Sequence, residues 1–409
     1  MTIGTHRTTR PNRHRPQRLL LSGLLLATAA FGCGAPDSGT SDDQGRTQKI
    51  PARPAHPVDL EILDVAGNLQ LTQGMIDDFR EQHPEIVGKV TYSKAPAPDL
   101  AGKIKAQQQA GRVQIDLVLT GTDGLAAGLS QGLWSDMSGH QKAIGDPDYL
   151  PPAAEMAKLA QGRGTAIVYY PSGPLVEYDP DAVQSPPRTP QDLLAWAKAH
   201  PKRFQYADPA NSGPGRTWLM GLPYLLGDKD PSDPEHGWDK TWAYLKELDK
   251  YAAVYASGTA ETMKNLANGQ IDMTPSTTGW YINPRALGTV PKKIRAAHFD
   301  HMTWVTDAQY AVIPKGVDAD TMSADLNLIK WILTPKQQAK AYDDGYFYPG
   351  PAIRDVPLSM APAKSRQVVE EYGVPRFDQW IEQFPKKPSL PAQAQVEAFD
   401  LWNRQVAGK

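Results

Sequence analysis

A single sulfur limits how this 409-residue chain can be held together: Cys33 is its only cysteine, so no internal disulfide is available and the fold must rest on core packing. The position of that cysteine adds a second constraint. It follows the apolar run Leu19 to Phe31, which is too short to span a bilayer as a permanent helix, and the run is preceded by Arg7, Arg10, Arg13, Arg15 and Arg18 with no acidic residue. A basic start, a short apolar stretch and small residues ahead of a cysteine predict an export signal over residues 1–32, with Cys33 lipidated as the new N-terminus. The plainer alternative is a cleaved, free protein with an idle thiol. No Cys/His cluster makes Cys33 a metal ligand, and the sequence offers no metal site or cofactor motif.

Removal of residues 1–32 takes five basic residues and no acid, leaving 38 basic residues against 45 acidic ones, a net charge of −7. Such a body lacks the concentrated basic face that phosphate backbones require, which argues against a nucleic-acid partner. The length allows two lobes with substantial cores. No later stretch carries the roughly 18 consecutive apolar residues of a spanning helix.

From Cys33 to Pro57 the composition is Gly, Ser, Thr, Asp, Gln and Pro with one isolated Ile50, which reads as a flexible tether. Folded structure is expected from Val58, where Val-Asp-Leu-Glu-Ile-Leu-Asp-Val alternates as a strand. Leu71, Met75 and Phe79 then repeat at helical spacing, with Asn68 placed to cap and Pro84 to stop. A strand near Lys89 to Ser93, a helix from Asp99 to Ala110 and a strand over Ile115 to Leu119 repeat the pattern. This alternation predicts parallel pairing, with ligand loops at the carboxyl ends of the strands: Asp64 to Asn68, and Thr120 to Asp123.

Thr165 to Tyr170 is a strand broken by Pro171-Ser172-Gly173-Pro174, and it looks like a crossover between lobes, with Tyr170 at the hinge. Thr189-Pro-Gln-Asp192 is a strong helix start. Asn211-Ser-Gly-Pro-Gly-Arg-Thr217 sets a Gly-rich turn before an apolar helix, so that N–H groups around Ser212 and Gly213, with Arg216 and Thr217, could grip an anion; the bland alternative is a helix cap with Arg216 paired to an acid. Thr278 and Trp280 are read in a loop after the strand Ile271 to Thr274. Asp307 is read at a second crossover, either balancing a ligand cation or locking the hinge. His298 and His301 are read as surface residues on opposite faces of a strand rather than a metal site.

These pieces, in this order, resemble the extracellular solute-binding proteins of bacterial ABC importers, in particular the spermidine/putrescine, ferric-iron and thiamine group. The features that carry the likeness are the lipoprotein signal, Gly-Gln-Ile-Asp-Met273 before a Ser/Thr-Gly-Trp280 loop, Tyr310-Ala-Val-Ile-Pro followed by Leu328-Ile-Lys-Trp-Ile-Leu-Thr-Pro, and Tyr346-Phe-Tyr-Pro-Gly-Pro. The resemblance implies an α/β, two-lobed periplasmic-binding-protein-like fold (type II) with two crossover strands at the hinge. Lobe one would comprise residues 58–170 and 307–409, and lobe two residues 171–306. It further implies a non-catalytic, monomeric receptor on the extracellular side of the membrane, held by its lipid, that hands a small polar solute to permease subunits. The binding residues would be Asn68, Thr122, Asp123, Tyr170, Ser212, Gly213, Arg216, Thr217, Thr278, Trp280 and Asp307. Polyamine, thiamine-like and phosphonate-like ligands all stay open, because Asp307-Ala-Gln309 stands where polyamine binders carry a Trp-x-Asp. The functional alternatives are a secreted lipoprotein hydrolase and a protein-binding lipoprotein. The nucleophile-elbow, Ser-x-x-Lys, zinc and P-loop signatures are absent.

Overall fold

Side chains of β1 (Val58–Asp64) are buried in both directions: Leu60 and Ile62 enter one hydrophobic cluster, while Leu63, with Val65 just beyond, enters another. A strand of this kind belongs to a sheet covered on both faces. The computed structural model describes residues 49–65, 67–373 and 375–408, so the export signal, Cys33 and the tether as far as Gln48 lie outside the described residues.

After β1 come α1 (Leu69–Gln82), β2 (Val87–Lys94), α2 (Ala97–Gln109), β3 (Leu117–Gly121), α3 (Thr122–Ser130), α4 (Pro151–Leu159) and β4 (Thr165–Gly173). The chain then forms β5 (Leu175–Tyr178), α5 (Pro190–Ala199), α6 (Gly213–Leu226), α7 (Asp239–Asp249), α8 (Thr259–Ala267), β6 (Met273–Ser276), α9 (Thr278–Ala286) and β7 (Arg295–Ala297). It closes with β8 (Trp304–Val312), α10 (Ala319–Ile332), α11 (Pro335–Gln338), α12 (Ala363–Tyr372), α13 (Arg376–Gln383), β9 (Lys386–Pro388) and α14 (Ala392–Trp402).

Two sheets result. The larger runs β2-β1-β3-β8-β4, with β9 added parallel to β8; β1 pairs parallel with β2 and β3, whereas β8 is antiparallel to β3 and β4. The smaller runs β6-β5-β7, all antiparallel. The chain passes from the larger to the smaller between β4 and β5 and returns through residues 298–303 between β7 and β8. At the first passage Gly173 lies so close to the smaller sheet that a Cβ would stand 2.7 Å from the Ser276 carbonyl oxygen, so only glycine fits.

Several expectations change here. Asp307 does not stand at the crossover: it lies inside the continuous strand β8, paired with Tyr170 of β4. Ile50 packs on the core beside α10, Pro54 is buried, and the Asn327 side-chain amide donates to the Ala52 carbonyl at 3.0 Å, so the tether is already bound to the body well before Pro57. His298 and His301 follow β7 rather than lying on a strand; His298 packs edge-to-face on Trp380 and tilted on Phe384.

The expected lobe-one tail divides. Phe377, Leu401 and Trp402 share a hydrophobic cluster with Phe204, Tyr206 and Trp218 of the smaller-sheet part, and Trp402 Nε1–H donates to the Tyr206 hydroxyl at 2.9 Å. The other side of α14 lies against α3. Its buried stripe runs through Ala398, Leu401 and Trp402, while Val396 and Phe399 are only partly covered.

Among the described residues no helix is long and apolar enough to cross a membrane.

Candidate functional site

A cavity of about 250 Å³ opens between the two sheets. The larger-sheet part supplies Pro96 and Ala97 at the start of α2, Asp123 in the first turn of α3, Tyr170 of β4, Gln309 of β8, and Tyr346 with Phe347. The smaller-sheet part supplies Asn211, Ser212, Gly213 and Arg216 around the start of α6, Gly258 to Ala260 at the start of α8, and Thr277 and Trp280 at the start of α9. Strand ends and helix starts converge here because each strand-to-helix turn of an α/β layer presents backbone N–H groups that the helix cannot bond internally.

Arg216 organises the charge. Only 3 % exposed, it places Nη1 3.1 Å from Asp123 Oδ2 and Nη2 against Asp307 Oδ2. Burial opposes its charge, but Asp307 and Asp123 outweigh that and hold the guanidinium firmly protonated. Asp307 is fully buried with both oxygens engaged: its other oxygen accepts from Thr122 Oγ1 at 2.5 Å and from the Ala308 N–H at 2.9 Å. Asp123 is held less completely, with one oxygen on its neighbour's Gly124 N–H at 2.9 Å and the other on Arg216. The ion pairs therefore run from α6 to both β8 and α3, across the cavity.

One wall is aromatic. Tyr170 stacks on Phe347 at 4.8 Å, Phe347 meets Tyr346 tilted at 4.3 Å, and Tyr346 and Trp280 pack edge-to-face at 5.7 Å. Burial and the nearby Asp307 carboxylate keep the Tyr170 phenol neutral, and its oxygen accepts from Gln309 Nε2 at 3.2 Å. Tyr169 faces the other way into a different cluster, as strand alternation requires.

Of the residues singled out in the sequence, Asp123, Tyr170, Ser212, Gly213, Arg216 and Trp280 line the cavity. Five stand behind it. Asn68 is fully buried and its side chain caps nothing; the Asp64 carboxylate accepts the first N–H groups of that helix instead, and Asn68 Nδ2 donates to Gln309 at 3.3 Å. Thr122 and Asp307 are locked to each other. Thr217 spends its hydroxyl on its own helix at Gly213 O, 3.1 Å away, and Thr278 donates to Tyr348 O at 2.9 Å. Thr278 and Trp280 belong to the first turn of α9 rather than to a loop, capped by Thr277, whose hydroxyl accepts the Trp280 N–H at 3.2 Å. Both terminal nitrogens of Arg216 serve carboxylates, the acid pairing that the sequence offered as the alternative to an anion grip, so any anion reaching Nη1 must share it with Asp123.

The reading missed Thr259, which shares a 2.7 Å hydroxyl hydrogen bond with the α6 cap Ser212, although its place after Gly258 at a helix start was a usable signal. It missed Gln309, Tyr346 and Phe347 as lining residues; they come from segments distant in sequence. Among the described residues no group of three or more His, Cys, Asp or Glu side chains is arranged to hold a metal ion.

Comparison with known proteins follows the same outline. Residues 74–368 match the family model for bacterial extracellular solute-binding protein. Among solved structures, a GABA receptor (Atu4243) is 18 % identical with a TM-score of 0.64, over 86 % of this chain and 98 % of that one. The Tp0655 (TpPotD) lipoprotein of Treponema pallidum is 14 % identical with a TM-score of 0.63, over 86 % and 100 %. A periplasmic thiamin binding protein is 15 % identical with a TM-score of 0.60, over 88 % and 99 %. At such identities the likeness is one of fold, the two-lobed type II periplasmic-binding-protein architecture. A search of curated proteins gives no match by sequence.

Proposed function

This chain belongs to the family of bacterial extracellular solute-binding proteins, and from that premise we propose that it captures a small polar solute between two lobes and presents the closed form to the permease of an ABC importer. The observation that carries the reading is the cavity, whose wall comes from both sheets at once, so that a bound solute favours the state in which they approach. The lobes are read as the larger-sheet and smaller-sheet parts, with α12 and α13 grouped with the second because they pack on it, β9 with the first, and α14 touching both.

The protein is read as a binder that leaves its solute unchanged. In support, the lining residues include no histidine, and the Ser212 hydroxyl is already bonded to Thr259 and to the Gly215 N–H at 3.0 Å, which leaves no base to activate it. The N-terminal reading is retained as part of the proposal: lipidation at Cys33 keeps a monomeric receptor on the outer side of the membrane.

Two experiments test this. Small-angle scattering with and without a metabolite panel should show a more compact particle and a higher melting temperature when a solute binds, with the solute recovered intact; chemical conversion of the solute would favour a hydrolase. Metabolic lipid labelling should mark the wild type and miss Cys33→Ala, and equal labelling of the two rejects the anchor.

A further inference from the structure

Resting on the reading of the cavity as a solute site, we infer that the solute is a zwitterion, its cationic group bound by Asp123 and its anionic group by Arg216 together with the starts of α6 and α8. The argument begins with what each charge already does. Asp307 is out of a ligand's reach, since it is fully buried, does not line the cavity and has both oxygens engaged by Thr122, Ala308 and Arg216, and it acts as the fixed counter-ion of Arg216. Asp123 lines the cavity, and its 3.1 Å contact with Arg216 Nη1 is the one ion pair of the set that a ligand can enter.

An anion alone that reached Nη1 would push Asp123 aside and leave a largely buried carboxylate with the Gly124 N–H but no counter-charge. A cation alone that took Asp123 would strip Nη1 and aim the rest of the molecule at a wall of hydrogen-bond donors. Either event costs the full desolvation of the group left bare. A zwitterion replaces one ion pair by two and strands neither group.

The two poles of the cavity are separately built. On the side of the smaller sheet, Gly213, Thr259 and Ala260 line the cavity in the first turns of helices 14 and nine residues long; in α6 Pro214 carries no N–H and the Gly215 N–H is taken by Ser212, so the Gly213 N–H and the first N–H groups of α8 are the ones without an acceptor in their own helix, where the helix dipole favours negative charge. An independent sign comes from Arg216 itself, a lining residue whose Nε–H is buried and has no partner, so that the guanidinium keeps one donor the fold leaves unused. On the opposite side, Asp123 gives the three-charge set a net charge of −1 and Tyr346 lines the cavity, meeting Trp280 of the smaller-sheet side edge-to-face at 5.7 Å, an aromatic pair beside which an alkylammonium group or an apolar body fits.

The test titrates the purified protein with a metabolite library that contains anions, cations and zwitterions, and then compares the tightest binder with its N-acylated and its carboxamide or ester derivatives by calorimetry. The tightest binder should be a zwitterion, and neutralising either of its charges should weaken binding at least about tenfold. Asp123→Asn should weaken the zwitterion by a similar factor while narrowing its advantage over the N-acylated anion. A tightest binder of any other charge type, or a zwitterion indifferent to both derivatisations, overturns the inference and leaves the receptor reading standing. If nothing in the library binds or compacts the protein, the receptor reading fails and takes the inference with it.

Discussion

Replacing Asp307 with alanine removes the carboxylate that the structure has committed most completely. Arg216 would stay buried with one terminal nitrogen bare, held only by Asp123, and Thr122 would lose the acceptor of its 2.5 Å hydrogen bond. Breaking a buried pair by deleting one partner costs about 3–5 kcal/mol, and the surviving Asp123 contact argues for the lower end, about 3 kcal/mol. The stranded Thr122 hydroxyl adds about 1 kcal/mol. For a folded body of about 360 residues, an unfolding entropy near 2.1 cal/mol/K per residue gives roughly 0.76 kcal/mol/K, so a loss of about 4 kcal/mol lowers Tm by about 5 °C. Calorimetry at pH 7 reads this directly. The double variant Asp307→Leu/Arg216→Met, which removes both charges, should lose much less than the sum of the two single changes. If Asp307→Ala melts within about 1 °C of the wild type, the guanidinium must find water as readily as it found Asp307, and the reasoning that ties the two sheets through this pair is wrong.

Three further outcomes are expected. A Cβ on Gly279 would stand 1.7 Å from the Tyr346 carbonyl oxygen, so Gly279→Ala should cost about 1–3 kcal/mol and weaken solute binding by displacing the Trp280–Tyr346 wall; an unchanged melt and titration would contradict the close approach. Asp325 is fully buried with neither oxygen partnered, and burial, then Asp116 and Asp318, raise its pKa well above the carboxylate range; Asp116 itself is pushed up to about 6. Such groups bind protons more tightly folded than unfolded, so stability falls as pH climbs from about 4, for Asp116 as far as about 6. Asp325→Asn should therefore lose less stability than the wild type between pH 5 and pH 8, and equal slopes in thermal melts would refute the assignment. Thr189 and Asp192 exchange reciprocal caps at 3.1 and 3.0 Å, so Thr189→Ala should cost about 1 kcal/mol, read by denaturant midpoint at unchanged slope; no shift would mean that the cap is redundant.

Local patterns made much of this architecture legible. The alternation from Val58 places β1, the Leu71/Met75/Phe79 spacing places α1, and Thr189 to Asp192 forms the capping box its spacing announces. The Gly-rich turn before α6 does border the cavity. What escaped was anything decided by distant partners. Arg216 looked free for an anion because Asp307 lies 91 residues away, and nothing local reveals that two carboxylates already flank it. Glu177 and Arg285, 108 residues apart, form a fully buried 3.0 Å pair that no spacing rule predicts. Asn68 stood where a cap belongs, yet Asp64 took the role because its carboxylate reaches the helix start from the end of β1. The packing of the tail was hidden for the same reason: the stripe on α14 shows that a face is buried but not which core receives it.

The last helix carries a mechanical consequence. It grips Tyr206 through Trp402 and leans on α3, so one rigid rod is bolted to both jaws of the molecule. A rod fixed at two places permits rotation only about an axis near its own line, or else must let go of one bolt each time the jaws part. Cutting the chain at residue 391 should therefore widen the swing as well as weaken the body, and a bulky fusion attached after Gly408 would load the joint itself rather than hang idly from the end.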